Sequence, residues 1–178
     1  MKRSWAPGTE AEGEGPRDAA ARALGIWPLD SHNQTLLDLT RPVGWVDPEP
    51  LPIYDLVVIG AGAGGLVSAK QAARRGAKVA FISEHLAGGD CLNVGCVPSK
   101  ALLRAARALR EARRASEFGV RLPGGGAAGI TIDFGAVMER MRRLRAKIAP
   151  ADSHEATAAT GAHVFQGRGR RDTINTYG

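Results

Sequence analysis

Tyr54-Asp55-Leu56-Val57-Val58-Ile59-Gly60-Ala61-Gly62-Ala63-Gly64-Gly65 decides the fold. Tyr54 to Ile59 reads as a continuous β-branched and aliphatic run, which predicts a strand buried in a parallel sheet. The glycines follow at once and open a helical run from Leu66 to about Arg75, which Gly76 is suited to end. Lys78-Val79-Ala80-Phe81-Ile82 predicts the next strand. The result is a βαβ unit with Gly60-x-Gly62-x-x-Gly65 in its first turn. Placed there, Gly60 makes the tight turn, Gly62 lets the backbone approach a pyrophosphate, and Gly65 lets helix and strand pack closely. The helix N-terminus offers N–H donors and positive potential to phosphates, with Ala63 and Gly64 of the turn beside them as cofactor contacts. A purely structural glycine turn competes, and the strand-to-helix setting weighs against it.

Downstream stands Gly88-Gly89-Asp90-Cys91-Leu92-Asn93-Val94-Gly95-Cys96-Val97-Pro98-Ser99-Lys100, with the two cysteines of the chain five positions apart. Pro98 suits the first position of a helix, and Ala101 to Ala115 lacks Gly and Pro, so a helix is expected there. Cys96 then lies at a helix N-terminus, where the dipole and a nearby Lys favour a thiolate. Gly88, Gly89 and Gly95 are read as letting the backbone approach a flat partner. A structural disulfide would want an oxidising compartment. Zinc would want four ligands at closer spacing, and His32, His85, His154 and His163 are scattered. Two unrelated buried cysteines would leave the glycines unexplained. The residues alone favour a redox-active pair and leave these alternatives open.

The cysteine stretch resembles the redox-disulfide motif of the class I pyridine nucleotide–disulfide oxidoreductases, GG-x-C-x-N-x-G-C-x-P-S-K, at every fixed position. Its wording is most similar to the mercuric-reductase-like branch, with dihydrolipoamide dehydrogenase and glutathione reductase as relatives. The resemblance implies an FAD-binding Rossmann-like α/β fold with parallel strands. It implies a disulfide between Cys91 and Cys96, with Cys91 as the interchange thiol and Cys96 as the thiol facing the flavin. Lys100 would tune the flavin, while Gly89 and Asp90 would lie beside it. The family's ribose-binding Glu falls at Ser83 here, with Glu84 one residue later. That offset predicts either weaker adenosine binding or a loop that swings Glu84 in. Gly167-Arg168-Gly169 resembles the second FAD contact, through Gly167 and Gly169. Ala159-Thr160-Gly161-Ala162 looks like a later flavin motif of the family but comes too early in the chain to be one.

The net charge of +6 raises the question of nucleic acid. Arg104, Arg107, Arg110, Arg113 and Arg114, then Arg140, Arg142, Arg143 and Arg145, fall on two predicted helices. A solvated face is the reading favoured over a nucleic-acid surface, because no aromatic residues interleave with the arginines. No apolar run approaches the roughly 20 residues that span a bilayer. Met1-Lys2-Arg3-Ser4-Trp5 is basic but precedes no apolar signal core, and Glu10, Glu12 and Glu14 argue against a transit peptide. Two cysteines without a signal suggest a reducing, intracellular compartment, cytoplasm or organelle. No metal site is expected.

Three segments are expected: 1–52 as a largely irregular, disordered extension; 53–171 as the N-terminal part of an FAD domain; 172–178 as a divergent tail. Pro28, Pro42, Pro48, Pro50 and Pro52 predict an extended lead-in. Gly124-Gly125-Gly126 predicts a loop, and Asp133 an N-cap for a helix that Pro150 stops, with Val137, Met138, Met141, Leu144 and Ile148 as its core stripe. Ala162 to Gln166 predicts a strand.

No second strand–glycine turn–helix unit for NAD(P)H is read, nor a candidate for the family's His–Glu pair. NAD(P)H as electron donor therefore needs domains beyond those read here. The family is homodimeric, which the resemblance does not carry over to this chain. Two functions are expected to compete: a flavin-dependent oxidoreductase acting on a disulfide, dihydrolipoamide or Hg(II), and a catalytically incomplete fragment that retains at most FAD binding or associates with other chains. An incomplete sheet would leave an unpaired edge and an exposed apolar face.

Overall fold

The computed structural model describes residues 15–121 and 129–169. Its elements run α1 (Pro16–Ala23), α2 (Ser31–Thr40), β1 (Leu56–Ile59), α3 (Ala63–Arg74), β2 (Val79–Ser83), α4 (Gly89–Asn93), α5 (Cys96–Arg113), α6 (Phe134–Ile148), α7 (His154–Ala158) and β3 (His163–Gln166). The expected glycine loop at 124–126, most of the acidic start and the tail at 172–178 lie outside the described residues.

The three strands form one parallel sheet in the order β1-β2-β3, with Val58 beside Phe81 and Phe81 beside Val164. These side chains share one face, on which Leu66, Ala69 and Ala73 of α3 complete the core. The α/β reading therefore holds. The expectation that β1 is buried on both faces does not. Leu56 and Val58 point into the core, whereas Val57 and Ile59 are 53% and 56% exposed, because no helix among the described residues covers that side.

Proline spacing suggested an extended lead-in, yet two helices form there. Asp30 caps α2 by accepting from the Asn33 N–H at 2.9 Å. Leu36 and Leu37 are fully buried, Leu36 with Leu92 and Ala149, Leu37 with Ala21 and Ile26. Pro28 precedes α2, and Pro42, Pro48, Pro50 and Pro52 mark the stretch beyond it. There Trp45 Nε1 donates to the Val164 carbonyl at 3.0 Å and the Gln166 N–H donates to Asp47 Oδ1 at 2.8 Å, so this stretch covers the outer edge of β3.

The second arginine group also departs from expectation. Arg142 bonds Asp30, and Arg145 donates to Asn33 Oδ1 at 2.6 Å and to the Asn93 carbonyl at 2.8 Å. Buried Asn33 and Asn93 and partly buried Asp30, not solvent, hold these two guanidiniums. Asp133 caps α6 through the Ala136 N–H, as its sequence predicted. Of the proposed α6 stripe, Met141 is buried and Ile148 is exposed.

His154 is fully buried against Trp45, with ring centroids 5.3 Å apart, and neither ring nitrogen has a hydrogen-bond partner. Burial first, then the Arg41 charge, lowers its pKa from 6.5 to about 4, while Asp47 opposes. The folded state thus holds the neutral ring and the unfolded state binds the proton first. Stability is kept above pH 6.5 and lost as pH falls towards 4, by about 3 kcal/mol in all. Chemical denaturation across that window should show this slope, and His154→Gln should flatten it. Gly65 gives a second test. A Cβ there would lie 2.0 Å from the Gly60 carbonyl oxygen. Gly65→Ala should cost about 1–3 kcal/mol in the same assay.

Candidate active site

The glycine turn and the cysteine loop meet. Gly62 is the N-cap of α3, and no side chain caps that helix end. Its first-turn N–H groups therefore stand ready for an anion. A Cβ on Gly60, Gly62 or Gly64 would meet nothing within 4 Å, whereas one on Gly65 would strike Gly60. Gly65 thus serves close packing, and the other three keep space open above the turn.

Gly88 and Gly89, at φ 92° and 55°, take the left-handed conformation that glycine tolerates. The Gly88 N–H donates to the Ala61 carbonyl at 2.9 Å. A Cβ on Gly89 would lie 2.6 Å from Gly62 Cα, and one on Gly95 would lie 2.8 Å from the Asp90 carbonyl oxygen. The sequence assigned these glycines to a flat partner. In the structure Gly88, Gly89 and Gly95 bring the protein's own backbone segments together.

From this junction the one-turn helix α4 carries Cys91, and α5 begins at Cys96. Pro98 falls third in α5, not first, still within the turn whose N–H groups lack helical partners. Both cysteines are exposed free thiols. The Cys91 thiol is held above its ordinary pKa, first by its hydrogen bond to the Cys96 side chain, then by slight desolvation and the Cys96 charge. The Cys96 backbone N–H and Lys100 pull the other way. Cys96 is thus the neighbour that acts most on the Cys91 thiol. Lys100 sits in the first turns of α5, close enough for its charge to be felt at Cys91.

A cleft beside the glycine turn is lined by Gly60, Gly62, Glu84, Gly89, Asp90, Gly167 and Gly169, all singled out by sequence. Ile59, Ile82, His85 and Arg168 also line it and were missed. Arg168 had a signal, since it stands between the two glycines of its motif. Ser83 does not line the cleft. It is fully buried, and its hydroxyl donates to the His85 carbonyl at 2.8 Å. Glu84 reaches the cleft instead and lies 3.9 Å from Arg168. The carboxylate one residue after the expected position, and not the serine at it, therefore borders the cleft. Ala63, Gly64 and Gly65 lie in the first turn of α3, and the cysteines with Lys100 lie beyond the lining. Ala159 to Ala162 is the turn that ends α7, with Gly161 at φ 96°.

The residues present fit a dinucleotide. An uncapped helix N-terminus opens from the glycine turn, and the Glu84 carboxylate is among the residues that line the cleft. Among the described residues, no cluster of three His, Cys, Asp or Glu could hold a metal ion, and no helix is long and apolar enough to cross a membrane.

Residues 54–176 match the family described as pyridine nucleotide-disulphide oxidoreductase. The chain is 43% identical over 125 residues to a dihydrolipoyl dehydrogenase of Bacillus subtilis, covering 70% of this chain and 23% of that protein. It is 48% identical over 87 residues to the dihydrolipoyl dehydrogenase of Chlamydia muridarum, covering 49% of this chain and 18% of that protein. The chain thus spans about a quarter or less of the length of these relatives. With most of its residues inside the family match, the chain belongs to the pyridine nucleotide-disulphide oxidoreductases.

Proposed function

We propose that this chain holds FAD along the Gly60–Gly65 turn and uses Cys91 and Cys96 as the reversible disulfide of a flavin-dependent oxidoreductase. The observation that carries this reading is the seating of Gly89 on Gly62, which joins the dithiol loop to the phosphate-binding turn. Proteins of this family use FAD, with NAD(P)H as electron donor. Bound FAD would supply the two-electron redox chemistry.

The chain's own residues supply the rest. Amides at the start of α3, from Ala63 to Gly65, receive the diphosphate. Glu84 offers the ribose an acceptor in place of Ser83. Gly167 and Gly169 border the adenosine side, and Asp90 and Lys100 the dithiol side. Cys91 is the exchange thiol and Cys96 the thiol on the cofactor side. A thiolate of a dithiol substrate attacks Cys91, the Cys91–Cys96 bond breaks, and Cys96 departs as thiolate. The second substrate thiol displaces Cys91. The substrate leaves as a disulfide, and two electrons rest on the Cys91–Cys96 pair. Relatives that are dihydrolipoyl dehydrogenases favour a dithiol of this kind over Hg(II). The exposed Val57 and Ile59 favour a second reading, in which this unit binds FAD and relies on further polypeptide for NAD(P)H oxidation and dimerisation.

Titration of the full chain with FAD, followed by flavin absorbance and fluorescence, should show saturable binding. Gly62→Ala, whose Cβ would meet no protein atom within 4 Å, should weaken FAD binding about tenfold, with a thermal transition close to the parent's. Colourless protein that takes up no FAD would overturn the proposal. Alkylation with mass measurement should find Cys91 and Cys96 protected together after oxidation and both modified after reduction. Cys91→Ser should abolish this couple while FAD still binds.

A further inference from the structure

The cysteine loop is anchored from a distance by a side chain outside the family motif. Cys91 rides on α4, whose last residue is Asn93. Asn93 is buried, and its Nδ2 donates to the carbonyls of Leu86, Ala87 and Gly89 at 3.4, 3.2 and 2.8 Å, drawing the loop around itself. Its own carbonyl, at the C-terminal end of α4, accepts from Arg145 Nη1 at 2.8 Å. A cation at that end meets the negative pole of the turn.

The fork of Arg145 is fixed in turn. Nη2 donates to Asn33 Oδ1 at 2.6 Å. Asn33 is fully buried, and its Nδ2 donates to the Pro28 carbonyl at 2.7 Å. Arg142, one turn before Arg145, bonds the Asp30 carboxylate that caps α2. Burial first, then the Arg142 charge, pushes the Arg145 guanidinium below its ordinary pKa, and Asp30 opposes. Leu36 and Leu92 share one apolar cluster beneath the same contact.

We infer that Arg145, steadied by Asn33 from the N-terminal segment, is a positioning residue for the Cys91–Cys96 pair and sets its thiol–disulfide equilibrium. This rests on the dithiol reading above. Two charge-assisted hydrogen bonds from one planar guanidinium, one to the end of α4 and one to Asn33, fix direction as well as distance. With α4 held at its end, the Cys91 sulfur is presented to Cys96 and the effective concentration of one thiol at the other stays high. Released, α4 turns more freely and the disulfide becomes easier to reduce.

The test equilibrates the full chain with oxidised and reduced glutathione. The two thiols of the pair lose two electrons and two protons to one oxidised glutathione, which leaves as two reduced glutathiones. Acid quenching, alkylation and mass measurement then give the fraction oxidised. Arg145→Lys, Arg145→Met and Asn33→Ala should each lower the equilibrium constant for disulfide formation. Arg145→Met should lower it about tenfold, equivalent to about 30 mV. The Asn33→Ala and Arg145→Met effects should not add in the double variant. Phe81→Leu, which weakens the sheet core away from this contact, should leave the constant unchanged. If Arg145→Met fails to fold, Arg145→Lys and Asn33→Ala decide. An unshifted constant in folded Arg145→Lys and Asn33→Ala, or an equal shift in Phe81→Leu, overturns the inference. A parent chain that forms no reversible Cys91–Cys96 couple overturns the dithiol reading itself, a result separable from an unshifted constant.

Discussion

The contact on which the rest depends is backbone against backbone. Gly89 lies on Gly62 so closely that a single methyl group would occupy the space, and the Gly88 amide bonds the Ala61 carbonyl. Neither loop alone makes a site. The turn after β1 supplies amides, and the loop before α5 supplies sulfur. Their separation is set by the absence of a side chain at Gly89. Every other feature of the site, from the uncapped start of α3 to the neighbouring thiols, takes its place from that junction.

What was legible in the sequence was what is local. The strand at Leu56–Ile59, its glycine turn, the helix behind it and the strand at Val79 follow from patterns a few residues long. The cysteine loop is local too, and the Asp133 cap was readable for the same reason. The roles of Gly88, Gly89 and Gly95 were not, because a glycine announces a close approach without naming what approaches. Ser83 and Glu84 show a similar limit. Counting places a carboxylate one step off, but only the fold of the loop reveals that the serine turns inward onto His85.

The N-terminal helices and the inner arginines were illegible for a different reason. Arg145 reaches residues 52 and 112 positions away, and Trp45 reaches one 119 positions away. Such pairings leave no periodic trace. A charged helix face looks the same whether water or a buried asparagine awaits it. His154 belongs with these. It looks unremarkable between Ser153 and Glu155, and only the packing of Trp45 makes it a buried neutral ring.

The sheet is finished differently at its two sides. Along β3, Trp45 and Asp47 occupy the hydrogen-bonding groups of the strand, whereas β1 pairs only with β2 among the described residues. Growth of the sheet therefore has a direction. A further strand, whether from this polypeptide or another, has its template at Leu56–Ile59, next to the glycine turn, and the opposite side is already sealed. Any enlargement of the fold by strand addition thus builds outward from the nucleotide cleft and leaves the far flank as it stands.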